Sequence, residues 1–439
     1  MGPIEQKRPL FAVQMFHCSL VQTSTCSTMS LVSTEYRLLT DDDLEQAAAV
    51  ESRAFYNQPS PEYTERVRKY FPPEWTHGAF VDGKLVADVR AVPQVRRMHG
   101  TTMQIGAVGP VACAAPYRRQ GHVNKLLTLS LETMRERGQV LSGLHTPHDS
   151  LYQRFGWERA ERKTYIRVKP KDIKLRERGA RGTMEAVTPE EWQRLDAIFN
   201  EANKDANGPF VRRGVWWQEA VLKHWENGIT VPSEAIVWVD AEGRDQGYVV
   251  YWNAKGGRDP EGPFDRNEIW VHHYEALTPD AYLGIWEHLL THDLAYEIIA
   301  ELHPDDPFQQ LCEPPGAVDA RIGWGAMIRL VDVENGLAQR PYVGTRAAAA
   351  TLRVTDKTLP VNDGTWRIEA AEGQMRAERT DATPDAELSV NTLASLFTGY
   401  LRADAASLGG FLRVTRPEVV DELMQLFAVT RAPFCPDHY

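Results

Sequence analysis

The stretch Val111-Ala112-Cys113-Ala114-Ala115-Pro116-Tyr117-Arg118-Arg119-Gln120-Gly121-His122-Val123 decides how the first third of the chain folds. Met103 to Cys113 is rich in β-formers and reads as a strand. Downstream, Leu126, Leu127, Leu129 and Met134 recur at helical spacing, so a helix runs to about Arg137, with these four on its buried side. The Arg-Arg-Gln-Gly turn therefore joins a strand to a helix N-terminus. A glycine turn there leaves backbone N–H groups free and places the positive end of the helix dipole beside them. Arg118 and Arg119 add fixed positive charge suited to a pyrophosphate. The bland alternative is an ordinary strand-to-helix turn with two solvated arginines.

Working outward, Ala79-Phe80-Val81 and Leu85 to Val89 flank Asp82-Gly83, a hairpin signal. Asp41, Asp42 and Asp43 offer caps for a helix carrying Leu44, Ala47, Val50 and Phe55, and a second helical stretch covers Tyr63 to Tyr70. With a further strand from Val140 to Leu144, residues 29–168 are expected to form one α+β domain. The same order recurs over 169–330, beyond a basic linker from Lys169 to Arg181 read as a solvated connection. Here Thr278-Pro279-Asp280 stands between strand and helix, with an acid and neither arginine nor glycine, so this second unit reads as cofactor-free. Residues 331–439 form a third unit of short strands followed by helices at 390–398 and 417–427. Two prolines and two aromatics in Pro433-Phe434-Cys435-Pro436-Asp437-His438-Tyr439 predict a docked terminus. Residues 1–28 show no period and read as an unstructured extension; Lys7, Arg8 and Pro9 to Val13 imitate a signal peptide, but Gln14 and His17 break the run.

Composition narrows the classes. The chain has 439 residues, 43% hydrophobic and 25% charged, enough to build several cores. A net charge of −11 argues against a nucleic-acid partner, and no run of 18 apolar residues is available for a membrane-spanning helix. Five cysteines, at 18, 26, 113, 312 and 435, are too scattered for a disulfide framework or zinc cluster. A reducing, cytoplasmic setting is expected, with secretion left open.

Val111 to Gly121, together with Leu151-Tyr152-Gln153-Arg154-Phe155-Gly156-Trp157, resembles the two signature segments of the GCN5-related N-acetyltransferases. The whole span from Met29 resembles the enhanced intracellular survival (Eis) family: two tandem acetyltransferase folds, then a sterol-carrier-protein-like α+β domain. The resemblance implies that Arg118, Arg119, Gln120, Gly121, His122, Val123 and Asn124 cradle the pyrophosphate of acetyl-coenzyme A. It implies that Val111, Ala112 and Cys113 bind the pantetheine arm through their backbone, and that Pro147 and His148 close the cofactor cleft. Val123 stands where the family has Gly or Ala, and Pro147 and His148 also differ from its usual residues. Phe55 and Asn57 fall where members place acceptor contacts, and the α-carboxylate of Tyr439 where members insert the chain's own terminus. A ring-like homohexamer and aminoglycoside or other polyamine acceptors are further implications.

Chemistry independently supports part of this. Acetyl transfer from a thioester to an amine needs a neutral amine, a polarised carbonyl and a proton for the leaving thiolate. A phenol with pKa of about 10 suits a thiolate of about 8.5 to 10, so Tyr152 is the candidate general acid, against the alternative of a core tyrosine. Backbone N–H groups of Val111 to Cys113 are candidate polarisers. A terminal carboxylate, with pKa of about 3.5, suits orientation of a cationic amine better than proton abstraction. Trp75, Phe80 and Cys113 are read as core. His145, His148 and Asp149 carry metal-ligand types on a loop and are not taken as a site, and His272 and His273 point to opposite faces of a strand. Gly256 to Pro263 reads as a flexible loop. The expected activity is acetyl-coenzyme A-dependent N-acetylation of a primary amine through a ternary complex, without a metal. The alternative is a non-catalytic protein binding acetyl-coenzyme A and, in its third domain, an apolar ligand.

Overall fold

The computed structural model describes residues 33–179, 182–226, 229–258 and 265–437. The extension at 1–28 and Tyr439 lie outside these residues. The first sheet collects β1 (Thr34–Leu38), β2 (Thr76–Val81), β3 (Lys84–Met98), β4 (Thr101–Cys113), β5 (Leu141–Leu144) and β6 (Glu158–Arg159). Around it lie α1 (Leu44–Ala54), α2 (Pro61–Tyr70), α3 (His122–Glu136) and α4 (Asp149–Gln153). Local chemistry starts these helices. Thr40 and Asp43 form a capping box before α1, and Ser60 Oγ accepts the Tyr63 N–H at 3.1 Å with Pro61 at the first helical position of α2. In α3 the buried stripe is Leu126, Leu127, Leu131 and Met134. Leu129, expected inside, is half-buried, because 3.6 residues per turn carries the face from 127 to 131 and 134.

β7 (Arg162–Val168) departs from the first sheet. It pairs with 295–302 and 319–324 in a second, seven-stranded sheet. In return Met327–Leu330 inserts between β5 and β6. Two strands thus cross the sequence position near 168, and the two acetyltransferase folds are interlocked by main-chain hydrogen bonds. The segment after Lys169 is also more than a solvated link, since Lys174–Leu175 pairs with Cys312–Glu313. Gly256 to Arg258, expected in a flexible loop, extend the strand Asp245–Arg258 against Asp265–Ala276, with a register shift between Lys255 and Arg258; the remainder of that expected loop lies outside the described residues.

The third unit is a five-stranded sheet covered by helices that include Val390–Thr398, Ala403–Leu408 and Val419–Leu426. Leu352, Val354, Trp366, Ile368, Leu393, Leu396 and Phe397 fill its interior, each at most 2% exposed. No described helix is long and apolar enough to cross a membrane.

The site is positioned by one fork. β4 and β5 run parallel but pair only over Ile105–Ala107 and Leu141–Gly143. Beyond Ala107 they part, while β4 stays paired with β3 on its other side through Cys113. One edge of Val108–Cys113 is therefore left open toward the N-terminus of α3.

Candidate active site

The turn before α3 is held by its own residues. Gln120 Nε2 donates to Pro116 O at 3.0 Å, and Arg118 Nε donates to Cys113 O at 3.3 Å. Arg119 (φ +63°) and Gly121 (φ +88°) both lie in the left-handed region, which a non-glycine residue at 119 enters at a cost and a glycine at 121 enters freely. A Cβ built on Gly121 would meet only open space. His122 begins the helix buried. Its Nδ1 lies 3.0 Å from Tyr36 Oη, while its Nε2 is buried without a hydrogen-bond partner among the described residues. Open space over a glycine, helix-end N–H groups, two arginines and an orphaned imidazole nitrogen make a cradle that fits a pyrophosphate.

This cradle opens into a cavity of about 1400 Å³. Val111, Cys113, Arg118, Arg119, Gly121, His122, Val123, Asn124, Pro147, His148 and Tyr152 line one arm of it. Ala112 lies on the opposite side of β4, buried in the sheet, as strand alternation requires. Cys113, expected in the core, is half-buried and borders the cavity, and burial raises its thiol pKa. Phe55 is exposed at the mouth. Asn57 is exposed but does not line the cavity: its N–H closes the end of α1 on Ser52 O at 2.8 Å, after the chain reverses at Tyr56 (φ +62°). Phe80 is buried under Arg37, and Trp75 packs against the core.

Tyr152 sits on α4, a helix too short to persist alone. Neighbours fix it. Arg159 binds Asp149 (Nε–Oδ2 2.7 Å), and Asn391 Nδ2 from the third unit donates to Gln153 O and Trp157 O, both at 2.9 Å. The Tyr152 ring meets Trp157 edge-on, with centroids 6.1 Å apart. Burial pushes its pKa up to about 12. Asp149 is thus engaged by Arg159, and among the described residues no three His, Cys, Asp or Glu side chains converge as metal ligands.

Sequence reading missed the far arm. Tyr63, Arg66, Tyr70 and Phe71 come from α2 and its end, and Arg90 from β3. The second unit closes the wall with Arg213, Trp216 and Glu219, the last carried by a π-helical turn over Trp217–Val221. Behind Tyr63 lies a buried network: Tyr63 Oη donates to Glu51 Oε2 at 2.6 Å, Arg90 Nη2 binds Glu51 Oε1, and Asp88 is fully buried alongside. Burial, then the Glu51 charge, raises the Asp88 pKa well above the usual carboxylate range. The carboxy-terminal tail reaches the same wall. Asp437 Oδ1 accepts from Arg212 Nε at 2.8 Å and from Trp216 Nε1 at 3.0 Å. Tyr439 itself is beyond the described residues. In the second unit the corresponding helix start is closed, since Thr278 Oγ1 accepts the Ala281 N–H at 3.2 Å.

Residues 35–160 and 208–330 match families described as acetyltransferase (GNAT) domains, and residues 333–436 match a sterol carrier protein domain. The chain is 26% identical over 395 residues to an uncharacterised N-acetyltransferase of Streptomyces avermitilis, covering 87% of this chain and 93% of that one. It is 24% identical over 332 residues to N-acetyltransferase Eis of Mycobacterium tuberculosis, covering 72% and 76%. The crystal structure of Eis1 from Mycobacterium abscessus superposes with a TM-score of 0.77 at 25% identity, over 93% of this chain and all of that one. The chain belongs to the Eis-like GCN5-related N-acetyltransferases. It is an enzyme of acetyl transfer, and its fold implies use of acetyl-coenzyme A. A GCN5-related N-acetyltransferase from Anabaena variabilis shares the architecture, with a TM-score of 0.80 at 19% identity. The missed far-arm residues of this Eis-like enzyme carried a sequence signal only in retrospect: Tyr63, Arg66 and Tyr70 recur at helical spacing on a polar helix.

Proposed function

We propose that this Eis-like enzyme acetylates a primary amine in a ternary complex at the fork between β4 and β5. One observation carries the proposal: a single cavity runs from the Arg118–Asn124 cradle past Tyr152 to the chamber between α2 and the second unit. Acetyl-coenzyme A supplies a thioester carbonyl for attack by a neutral amine and leaves as a thiol. The open edge of Val108–Cys113 is suited to hold an extended chain by main-chain hydrogen bonds, with the N–H groups of Val111 and Cys113 as polarisers, while that of Ala112 faces β3. Gly121 and the flanking arginines fit the diphosphate.

Tyr152 is protonated throughout the physiological range, because burial disfavours phenolate. Against a free thiolate of about 9, full proton transfer from a phenol near 12 is uphill by about 4 kcal/mol. Its hydrogen bond therefore acts while the C–S bond is breaking and charge is developing on sulfur. The α-carboxylate of Tyr439 is proposed to attract and orient the amine; the anchoring of Asp437 beside Trp216 supports delivery of the terminus to this wall. Aminoglycosides and polyamines are the acceptors implied by the family likeness, and a ring-like homohexamer its assembly. Ile322 and Trp324, exposed on the edge strand of the second sheet, offer apolar surface for subunit contact, and sedimentation should give the mass of six chains.

The test is thiol release from acetyl-coenzyme A with a panel of amines. Turnover should require an amine, and a few residues added after Tyr439 should impair it. Acetyl-coenzyme A binding without amine-dependent release from any acceptor would reject the proposal, and full activity of an uncleaved extended chain would remove the terminal carboxylate from it.

A further inference from the structure

Charge in the far arm points to a different acceptor class from polyamines. Six arginines line the whole cavity, at 66, 90, 118, 119, 154 and 213, while Glu219 is the sole acid among the described lining residues. Arg118, Arg119 and Arg154 belong to the cofactor arm, which leaves Arg66, Arg90 and Arg213 around the acceptor. Arg90 is matched by Glu51 behind it. Glu219 is already shared, its Oε1 accepting from Lys223 Nζ at 2.8 Å and Tyr70 Oη at 3.0 Å. Arg66 Nη2 donates to the Glu219 carbonyl at 3.2 Å, and burial lowers the pKa of its guanidinium. Arg213 is exposed near Trp75, 5.9 Å from the ring centre, with no ion-pair partner among the described residues. Asp88 is fully buried behind Arg90 and does not line the cavity, and burial raises its pKa.

We infer that the acceptor is a primary amine whose body carries an anionic group, carboxylate or phosphate, held by Arg66 and Arg213 while Tyr70, Phe71 and Trp216 cover its apolar part. This rests on the acetyltransferase reading above and names its substrate class. Guanidinium groups bind either anion through paired N–H donors. A second ammonium on the acceptor, about 6 Å from either guanidinium, would lose affinity by about a hundredfold at the screening typical of a partly exposed site.

The experiment compares kcat/KM by thiol release for matched amines: phenylalanine with phenylalaninamide, 4-(aminomethyl)benzoate with its amide, and 2-aminoethyl phosphate with ethanolamine. Spermidine and kanamycin are run alongside. The anionic member of at least one pair should exceed its neutral partner by about tenfold or more, as a charge-assisted hydrogen bond implies, and should exceed both polycations. Arg213→Gln, at an exposed and structurally tolerant position, and Arg66→Gln should each shrink that ratio by about tenfold or more while acetyl-coenzyme A affinity, measured by calorimetry, stays unchanged. Preference for the neutral members or the polycations, or a ratio insensitive to both substitutions, overturns the inference and leaves the acetyltransferase reading standing. Absence of release with every amine, although acetyl-coenzyme A binds, overturns that reading and this inference with it.

Discussion

Gly156 follows the helix bearing Tyr152, and replacing it by alanine should be unusually destabilising. Its φ of +91° lies in the left-handed region, where a Cβ adds about 1–2 kcal/mol of strain. The new Cβ would also lie 1.6 Å from Arg329 Nη1 and 2.8 Å from Val390 Cγ1. That guanidinium cannot swing into solvent. It is fully buried, donates to Phe155 O, and binds Asp356 of the third unit (Nη2–Oδ2 2.7 Å). Displacing it leaves Asp356 buried without its partner, which costs about 3–5 kcal/mol. Gly156→Ala should therefore lose about 4–7 kcal/mol. Gly138→Ala is the control: φ is +75°, but nothing lies within 4 Å of its added Cβ, so only the backbone strain of about 1–2 kcal/mol applies. Urea unfolding followed by tryptophan fluorescence reads both, and Trp157 is the adjacent residue. If the two variants fall within about 1 kcal/mol of each other, the assigned role of Arg329 is refuted.

Tyr152→Phe should lower turnover about a hundredfold or more while leaving acetyl-coenzyme A affinity unchanged, and unchanged turnover would remove Tyr152 from the acid role. Because burial pushes its pKa up to about 12, the wild-type pH–rate profile should show no loss assignable to this phenol between pH 7 and 10, and a limb near 10 that vanishes in Tyr152→Phe would contradict the assigned burial. Asp437→Ala removes one partner of a buried ion pair with Arg212, both side chains 1% exposed, and should cost about 3–5 kcal/mol and raise the amine KM through Trp216; a wild-type KM would separate the tail from the acceptor wall. Glu275 is raised from 4.5 to about 7, chiefly by burial, so its carboxyl is neutral in the fold below that pH. Its contribution is complete below pH 4.5 and is lost as pH rises through 7, and Glu275→Gln should flatten the fall in urea midpoint across that window.

The turns and helix starts were legible because their causes are local. Asp82-Gly83 joins β2 to β3 as a two-residue turn with φ of +48° and +77°, a conformation that the dipeptide itself favours. The Arg118–Gly121 cradle likewise needs only a strand, a glycine and a helix in succession. The short helix Ala403–Leu408 and the strand Leu412–Val414 are not legible in the sequence, because two buried residues in the helix and one in the strand set no readable period. Asn57, which the family likeness puts among the acceptor contacts, does not line the cavity, since one left-handed residue at Tyr56 redirects the chain.

By itself, the sequence determined the features that near neighbours dictate: the three units, the strand, glycine turn and helix start around Arg118–Gly121, and the aromatic element carrying Tyr152. Tertiary structure alone decided the features that required distant segments to meet. Main-chain pairing sent β7 to the second sheet and brought Met327–Leu330 back to the first, and no side-chain pattern encodes the partner of a strand edge. The same folding set Arg66 of the first unit opposite Arg213 and Glu219 of the second. The charge that an acceptor meets is a sum over residues about 150 apart in the chain, and it exists only once burial and proximity have fixed which of them face one another.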